Sequence, residues 1–136
     1  MAQPDPIRVL VVDDQRPVRR GLAISLSIFD DIRLIGEATD GAEAIQLCQK
    51  TNPDVILMDL QMPGMDGILA TTQIKQFYPH VQIIIFTNFI ESPLIKTALQ
   101  AGASCCLIKT VSIDELAETI RNVNNVNGQF RDAVNR

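Results

Sequence analysis

The sequence predicts an α/β fold, a parallel five-stranded sheet covered by helices on both faces. Three observations carry that expectation. Short apolar runs recur along the chain, stretches with helical spacing of apolar residues separate them, and Gly, Pro or helix-capping residues stand at the junctions. A nearly unbroken apolar run is what a strand buried on both faces requires. Strands alternating with helices give right-handed crossovers and a parallel sheet.

Taken in order, Ile7 to Val12 (I-R-V-L-V-V) is almost wholly apolar and β-branched, and reads as a doubly buried strand. Pro17 suits a first helical turn, and Val18, Leu22, Leu26 and Phe29 follow at helical spacing. Ile32 to Ala38 is mixed in polarity, so it is expected at a sheet edge. Asp40-Gly41-Ala42-Glu43 has the spacing of an N-cap with a reciprocal acidic partner, opening a helix through Ile45 and Cys48. Val55 to Met58 is the third strand. Pro63, Gly64 and Gly67 make a loop before a Thr-rich helix, Ile68 to Phe77. Gln82 to Phe86 is the fourth strand. Pro93 opens a helix through Leu94, Ala98 and Leu99, closed by Gly102. Cys105 to Ile108 is the fifth strand. Ser112-Ile113-Asp114-Glu115 is a second capping box, and Leu116, Ile120 and Val123 form the stripe of the last helix. The expected architecture is a flavodoxin-like three-layer sandwich with strand order 2-1-3-4-5 and five helices.

The chain's 136 residues suit one compact domain. A composition of 46% hydrophobic and 21% charged residues excludes a disordered chain. No apolar run is long enough to span a bilayer, and Met1-Ala2-Gln3-Pro4-Asp5-Pro6 lacks the regions of a signal peptide. A cytoplasmic protein without membrane contact is expected. A formal net charge of -4 argues against direct binding of nucleic acid. Cys48, Cys105 and Cys106 show no metal-ligand spacing and read as free thiols. Cys105 and Cys106 should point to opposite faces of their strand, which argues against a disulfide between them.

In sheets of this topology, ligands sit beyond the carboxyl ends of the strands, where the strand order reverses. Asp13 and Asp14 follow the first strand there, Asp59 the third, Thr87 the fourth and Lys109 the fifth. Clustered carboxylates repel one another unless a cation joins them. Hard oxygen ligands with open positions suit Mg²⁺. A carboxylate beside such a cation can attack phosphorus, and an ammonium would neutralise charge on the transferred oxygens. Each residue alone has a plainer reading: a turn for the aspartates, a strand end for Thr87, a solvated charge for Lys109. Their joint placement makes coincidence a poor account.

The order and spacing of these residues resemble the response-regulator receiver family, over nearly the whole chain from Ile7 to about Val123. The motifs are V-V-D-D (11–14), M-D-L-Q-M-P-G-M-D-G (58–67), Thr87 and A-G-A-S-C-C-L-I-K (101–109). The resemblance implies that Asp59 is the phosphoacceptor. Asp14, Asp59 and the backbone carbonyl of Gln61 would bind Mg²⁺ (or Mn²⁺), with Asp13 helping directly or through water. Thr87 would contact the phosphoryl group and relay its presence, and Lys109 would pair with a phosphoryl oxygen. The donor would be a sensor histidine kinase. The transfer would be self-catalysed, so the protein would not be an enzyme acting on a separate substrate.

R-R-G-L (19–22), I-G-E-A (35–38), A-T (70–71) and I-R-N-V (120–123) resemble the subfamily joined to LuxR-type helix-turn-helix DNA-binding domains. That implies transcription regulation, homodimerisation, and DNA contact only through a missing output domain. The receiver domain would cover 1–125, and 126–136 would start a linker or form a disordered tail. Excision from a longer protein is the favoured reading over a stand-alone receiver acting on a protein partner.

Two positions depart from the family pattern. Cys106, three residues before the lysine, replaces a usual aromatic switch residue, and Phe89 is the candidate substitute. Thr110 replaces the proline that usually follows the lysine, and a cis bond there would cost roughly 2.5–4 kcal/mol. His80, the only histidine, falls at the amino side of the sheet and reads as structural or solvated. An aspartyl-phosphate phosphohydrolase would want a second Asp two residues after its nucleophile, but Gln61 follows Asp59 and Arg16 follows Asp14. A flavin or nucleotide binder would want a Gly-rich loop where Asp13 and Asp14 stand. A degenerate scaffold would not keep all five polar residues.

Overall fold

The computed structural model describes residues 5–89 and 92–134, with side chains as far as Asn125. The first four residues, part of the segment searched for a signal peptide, lie outside them. The elements alternate strictly: β1 (Ile7–Val12), α1 (Arg16–Leu26), β2 (Ile32–Ala38), α2 (Gly41–Thr51), β3 (Val55–Met58), α3 (Gly67–Phe77), β4 (Gln82–Thr87), α4 (Pro93–Gln100), β5 (Cys105–Ile108) and α5 (Ile113–Val134). The strands form one sheet in the order β2-β1-β3-β4-β5, every neighbour parallel. The expected fold class and strand order are those observed, and mixed-polarity β2 is an edge strand.

Alternate strand residues feed two separate cores. Leu10, Val12, Ile56, Met58, Ile83 and Ile85 face α2, α3 and α4. Val9, Val11, Val55, Leu57, Ile84 and Phe86 face α1 and α5. Past Arg8 and Gln82 near their amino ends, β1, β3 and β4 run apolar and buried on both sides until their carboxyl ends, where the chain must turn. Cys105 and Cys106 join different cores, and all three cysteines are free thiols.

β2 carries a bulge. Val9 pairs with Leu34 but Leu10 pairs with Gly36, so Ile35 is an extra residue. A one-residue slip moves every following side chain to the other face. Leu34 lies with the α1 core, while a Cβ at Gly36 would stand 3.3 Å from Leu10 Cδ1 in the α2 core. Beyond the bulge, Glu37 pairs with Val11 on the α1 side and Ala38 enters the α2 core.

The caps follow their sequence signals with one difference. Asp40 Oδ1 accepts the Glu43 N–H at 2.9 Å, but Glu43 Oε2 accepts the Thr39 hydroxyl at 3.0 Å rather than closing a box on Asp40. Asp66 caps α3, which therefore begins at Gly67, one residue earlier than expected. Ser112 Oγ accepts the Glu115 N–H at 3.1 Å. β4 reaches Thr87, one residue further than expected. The backbone continues α5 to Val134, where a linker start or disordered tail was expected from 126. No cis peptide occurs among the described residues, so Lys109–Thr110 is trans. Among these residues no helix is long and apolar enough to cross a membrane.

Candidate functional site

The parallel ladder delivers Asp13 and Asp59 side by side. The Asp13 N–H donates to the Ala38 carbonyl at 3.0 Å, and the Asp59 N–H donates to the Val12 carbonyl at 3.0 Å. Each carboxylate therefore begins one residue past a buried strand, at the rim of the sheet. Asp13 and Asp59 are buried, whereas Asp14 is exposed.

Asp13 is held through all its polar atoms. Besides its N–H, its Oδ1 accepts the Gln15 N–H at 2.9 Å and its Oδ2 accepts Lys109 Nζ at 2.6 Å. Its carbonyl accepts Arg19 Nη1 at 2.8 Å. Asp59 is held more loosely. Gln61 N–H reaches its Oδ1 at 3.5 Å, and Lys109 Nζ stands 3.5 Å from its Oδ2. One ammonium thus serves two buried carboxylates and favours Asp13. Burial pushes the Asp59 pKa above its ordinary 3.8. The Lys109 charge opposes that shift, the Asp13 charge adds to it, and the hydrogen bonds from Gln61 and Lys109 oppose it.

The backbone of Asp59 is braced by α3. A Cβ at Gly67 would lie 2.1 Å from the Asp59 carbonyl oxygen, so only glycine lets the first turn of α3 seat there. The Gly67 N–H donates to the Leu60 carbonyl at 3.2 Å, closing the β3–α3 loop.

A cleft of about 240 Å³ opens over these groups, lined by Asp14, Asp59, Gln61, Thr87, Phe89 and Lys109, among others. Thr87 is buried, and its Oγ1 accepts the Phe89 N–H at 3.3 Å. The Lys109 N–H donates to the Thr87 carbonyl at 2.8 Å, tying β4 to the β5 end. Oxygens of Asp13, Asp14 and Asp59 lie within 4.8 Å of one another. Three hard carboxylate donors, one open to solvent, fit a small divalent cation that retains part of its water.

The structure brings Asp13, Asp14, Asp59, Gln61, Thr87 and Lys109 to one end of the sheet. Cys106 is half-buried against the α2-side core, and Phe89, which lines the cleft, is 61% exposed. His80 lies at the opposite end, its Nε2 3.3 Å from Asn52 Oδ1. Sequence reasoning missed Arg19 and Glu37, which pair at 3.2 Å next to Asp13. Both lie within motifs read only as subfamily wording, R-R-G-L and I-G-E-A.

Comparison with known proteins identifies the family and the fold. Residues 9–121 match the family model for the response regulator receiver domain. The chain is 48% identical over 115 residues to the transcriptional regulatory protein LiaR of Bacillus subtilis, covering 85% of this chain and 54% of that protein. It is 41% identical over 128 residues to the response regulator protein VraR of Staphylococcus aureus, covering 94% of this chain and 61% of that protein. It therefore spans between about half and three fifths of these curated relatives. Among solved structures, a LuxR-family two-component response regulator from Aurantimonas sp. SI85-9A1 superposes with a TM-score of 0.83 at 34% identity, covering 89% of this chain and 86% of that one. The response regulator domain of Thermotoga maritima CheB gives a TM-score of 0.82 at 32% identity, covering 88% and 97%.

Proposed function

The chain belongs to the response-regulator receiver domain family of two-component signalling, and from that membership we propose that Asp59 is its phosphoacceptor. A carboxylate oxygen of Asp59 attacks the phosphorus of a phosphohistidine on a sensor kinase. The P–N bond breaks, its electron pair returns to the imidazole, and an acyl phosphate forms on Asp59. The observation that carries this reading is a buried Asp59 beside Asp13, with Lys109 Nζ 3.5 Å from its Oδ2.

Lys109 is near enough to follow the new negative charge from Asp59 Oδ2 to a phosphoryl oxygen. The Thr87 hydroxyl accepts the Phe89 N–H and keeps its own proton to donate to that oxygen. Asp14, Asp59 and the Gln61 carbonyl would hold Mg²⁺ (or Mn²⁺), with Asp13 contributing directly or through water. Such an ion, when bound, neutralises charge on the transferred oxygens. The chain acts on itself and is not an enzyme for a separate substrate.

Intact mass spectrometry tests the assignment. With a small phosphodonor and Mg²⁺, the wild type should gain one phosphoryl group and Asp59→Asn none. A stable adduct on the variant would overturn the reading.

Similarity to LiaR, a transcriptional regulatory protein, and to a LuxR-family response regulator supports reading the chain as part of a transcription regulator, which in our proposal is cytoplasmic and acts through a DNA-binding output domain. Phosphorylation would promote homodimerisation through the α4–β5–α5 face. With Cys106 where a ring would couple to Thr87, the switch is loose, and only differential affinity separates its two states. Analytical ultracentrifugation should find measurable dimer before phosphorylation and a modest gain after it. Cys106→Tyr should sharpen that contrast. A strictly monomeric unmodified wild type, together with no effect of Cys106→Tyr, would count against it.

A further inference from the structure

We infer that Arg19 is a positioning residue for the cation site, acting through the peptide that joins Asp13 to Asp14. This rests on the function proposed above and adds a residue to it.

Asp14 is the exposed member of the carboxylate cluster. Among the described residues no hydrogen bond or ion pair holds its side chain. Its direction is therefore inherited from its backbone. The carbonyl on its amino side is that of Asp13, and Arg19 Nη1 donates to that oxygen at 2.8 Å. The plane of the Asp13–Asp14 peptide fixes where the Asp14 side chain starts, so Arg19 sets the one free carboxylate of the cluster.

Arg19 is itself held from the other side. Its Nε donates to Glu37 Oε1 at 3.2 Å, and its side chain is only 14% exposed. Glu37 meets it because the β2 bulge at Ile35 turns Glu37 to the α1 side. Without the extra residue, Glu37 would face α2 and Arg19 would lose its anchor. The guanidinium fork makes both bonds at once, through Nε and Nη1. A lysine has one nitrogen on a flexible stem and cannot reproduce that geometry.

Positioning and simple electrostatics predict opposite signs, which makes the idea testable. A cation next to the pocket repels Mg²⁺, so on charge alone its removal would tighten binding. Positioning predicts that removal weakens it. Residues that orient metal ligands from outside typically contribute 10–100-fold to affinity, and the low end is expected at a partly solvated site.

Isothermal titration calorimetry with Mg²⁺, on the unphosphorylated chain, reads the difference directly. Arg19→Gln should weaken Mg²⁺ binding roughly tenfold. Arg19→Lys, which keeps the charge, should also weaken it, and should carry the test if the Gln variant does not fold. Glu37→Gln should weaken it less, because the bond to the Asp13 carbonyl remains. In phosphorylation assays with a small phosphodonor, Arg19→Gln should need more Mg²⁺ for half-maximal rate yet approach the wild-type rate at saturation. A merely structural role would lower melting temperature in the absence of Mg²⁺ without moving the half-saturation point. Unchanged or tighter Mg²⁺ binding in both Arg19 variants would overturn the inference while leaving Asp59 phosphorylation intact. A wild type that neither binds Mg²⁺ nor gains phosphate would remove the functional reading and this inference with it.

Discussion

At the amino ends of the strands, Asp54 Oδ2 accepts the Arg8 N–H at 2.9 Å, and the Asp54 N–H donates to the Arg8 carbonyl at 2.8 Å. The Arg8 guanidinium ends on the Thr51 and Asn52 carbonyls, and Lys75 Nζ ends on those of Pro79 and Val81. There, charged side chains close off backbone groups that the sheet leaves open. At the carboxyl ends, Asp13 and Asp59 share one ammonium, at 2.6 and 3.5 Å, with Asp14 close by. The first arrangement satisfies polar groups and stabilises the fold. The second holds like charges together and costs stability, the arrangement that the proposed phosphoacceptor and cation site would require.

The largest test removes the shared cation. Lys109→Met keeps the aliphatic stem but leaves two buried carboxylates without their partner. Breaking a buried ion pair on one side typically costs about 3–5 kcal/mol, and a loss near the lower figure is expected in urea unfolding. Mg²⁺ should restore part of it by binding the folded state. A variant as stable as the wild type would erase the contrast between the ends.

Next in size is Asp54→Ala at the opposite end. It strips the Arg8 amide of its side-chain acceptor and should destabilise the fold by about 1–3 kcal/mol. Phosphorylation of Asp59 should be untouched, since the two aspartates lie at opposite ends of β3. Impaired phosphorylation at equal folded fraction would show that the ends are coupled.

The smallest effect has the opposite sign. Burial raises the Asp59 pKa above 3.8, so the folded chain binds a proton there more tightly than the unfolded one. The group's favourable contribution is complete below its unfolded value and is lost as pH rises through the raised native value. Asp59→Asn carries no such loss. Its melting temperature should exceed that of the wild type at neutral pH without Mg²⁺, and the gap should close as pH falls towards about 4. A gap that widens on acidification would reverse the argument.

The sheet order and the five polar positions were readable because each depends on local pattern: apolar runs for the strands, a polar residue immediately after each. Asp40 and Ser112 were readable as caps for the same reason. What could not be read depends on register or on ångström differences between distant residues. Nothing in I-R-L-I-G-E-A says that Ile35 is extra, so the facing of Glu37 towards Arg19 was invisible. Lys109 was expected to serve the phosphoryl group, and no pattern announces that it sits 0.9 Å nearer Asp13 than Asp59. The helical backbone from residue 126 to Val134 has no local signal, because Asn122 to Asn127 has weak helix propensity.

Gly67 gives the pocket a fixed wall. With no side chain between them, the start of α3 rests against the carbonyl of Asp59, and that residue's own amide is spent on Val12. Asp59, the proposed phosphoacceptor, thus cannot shift its main chain without carrying the start of α3 along. Adjustment on modification falls to the other wall, where Thr87 and Lys109 meet through a single backbone hydrogen bond. In hydrogen-exchange terms, the amides of Asp59 and Gly67 should stay slow in both states, while the change should be written in the segment that follows Thr87.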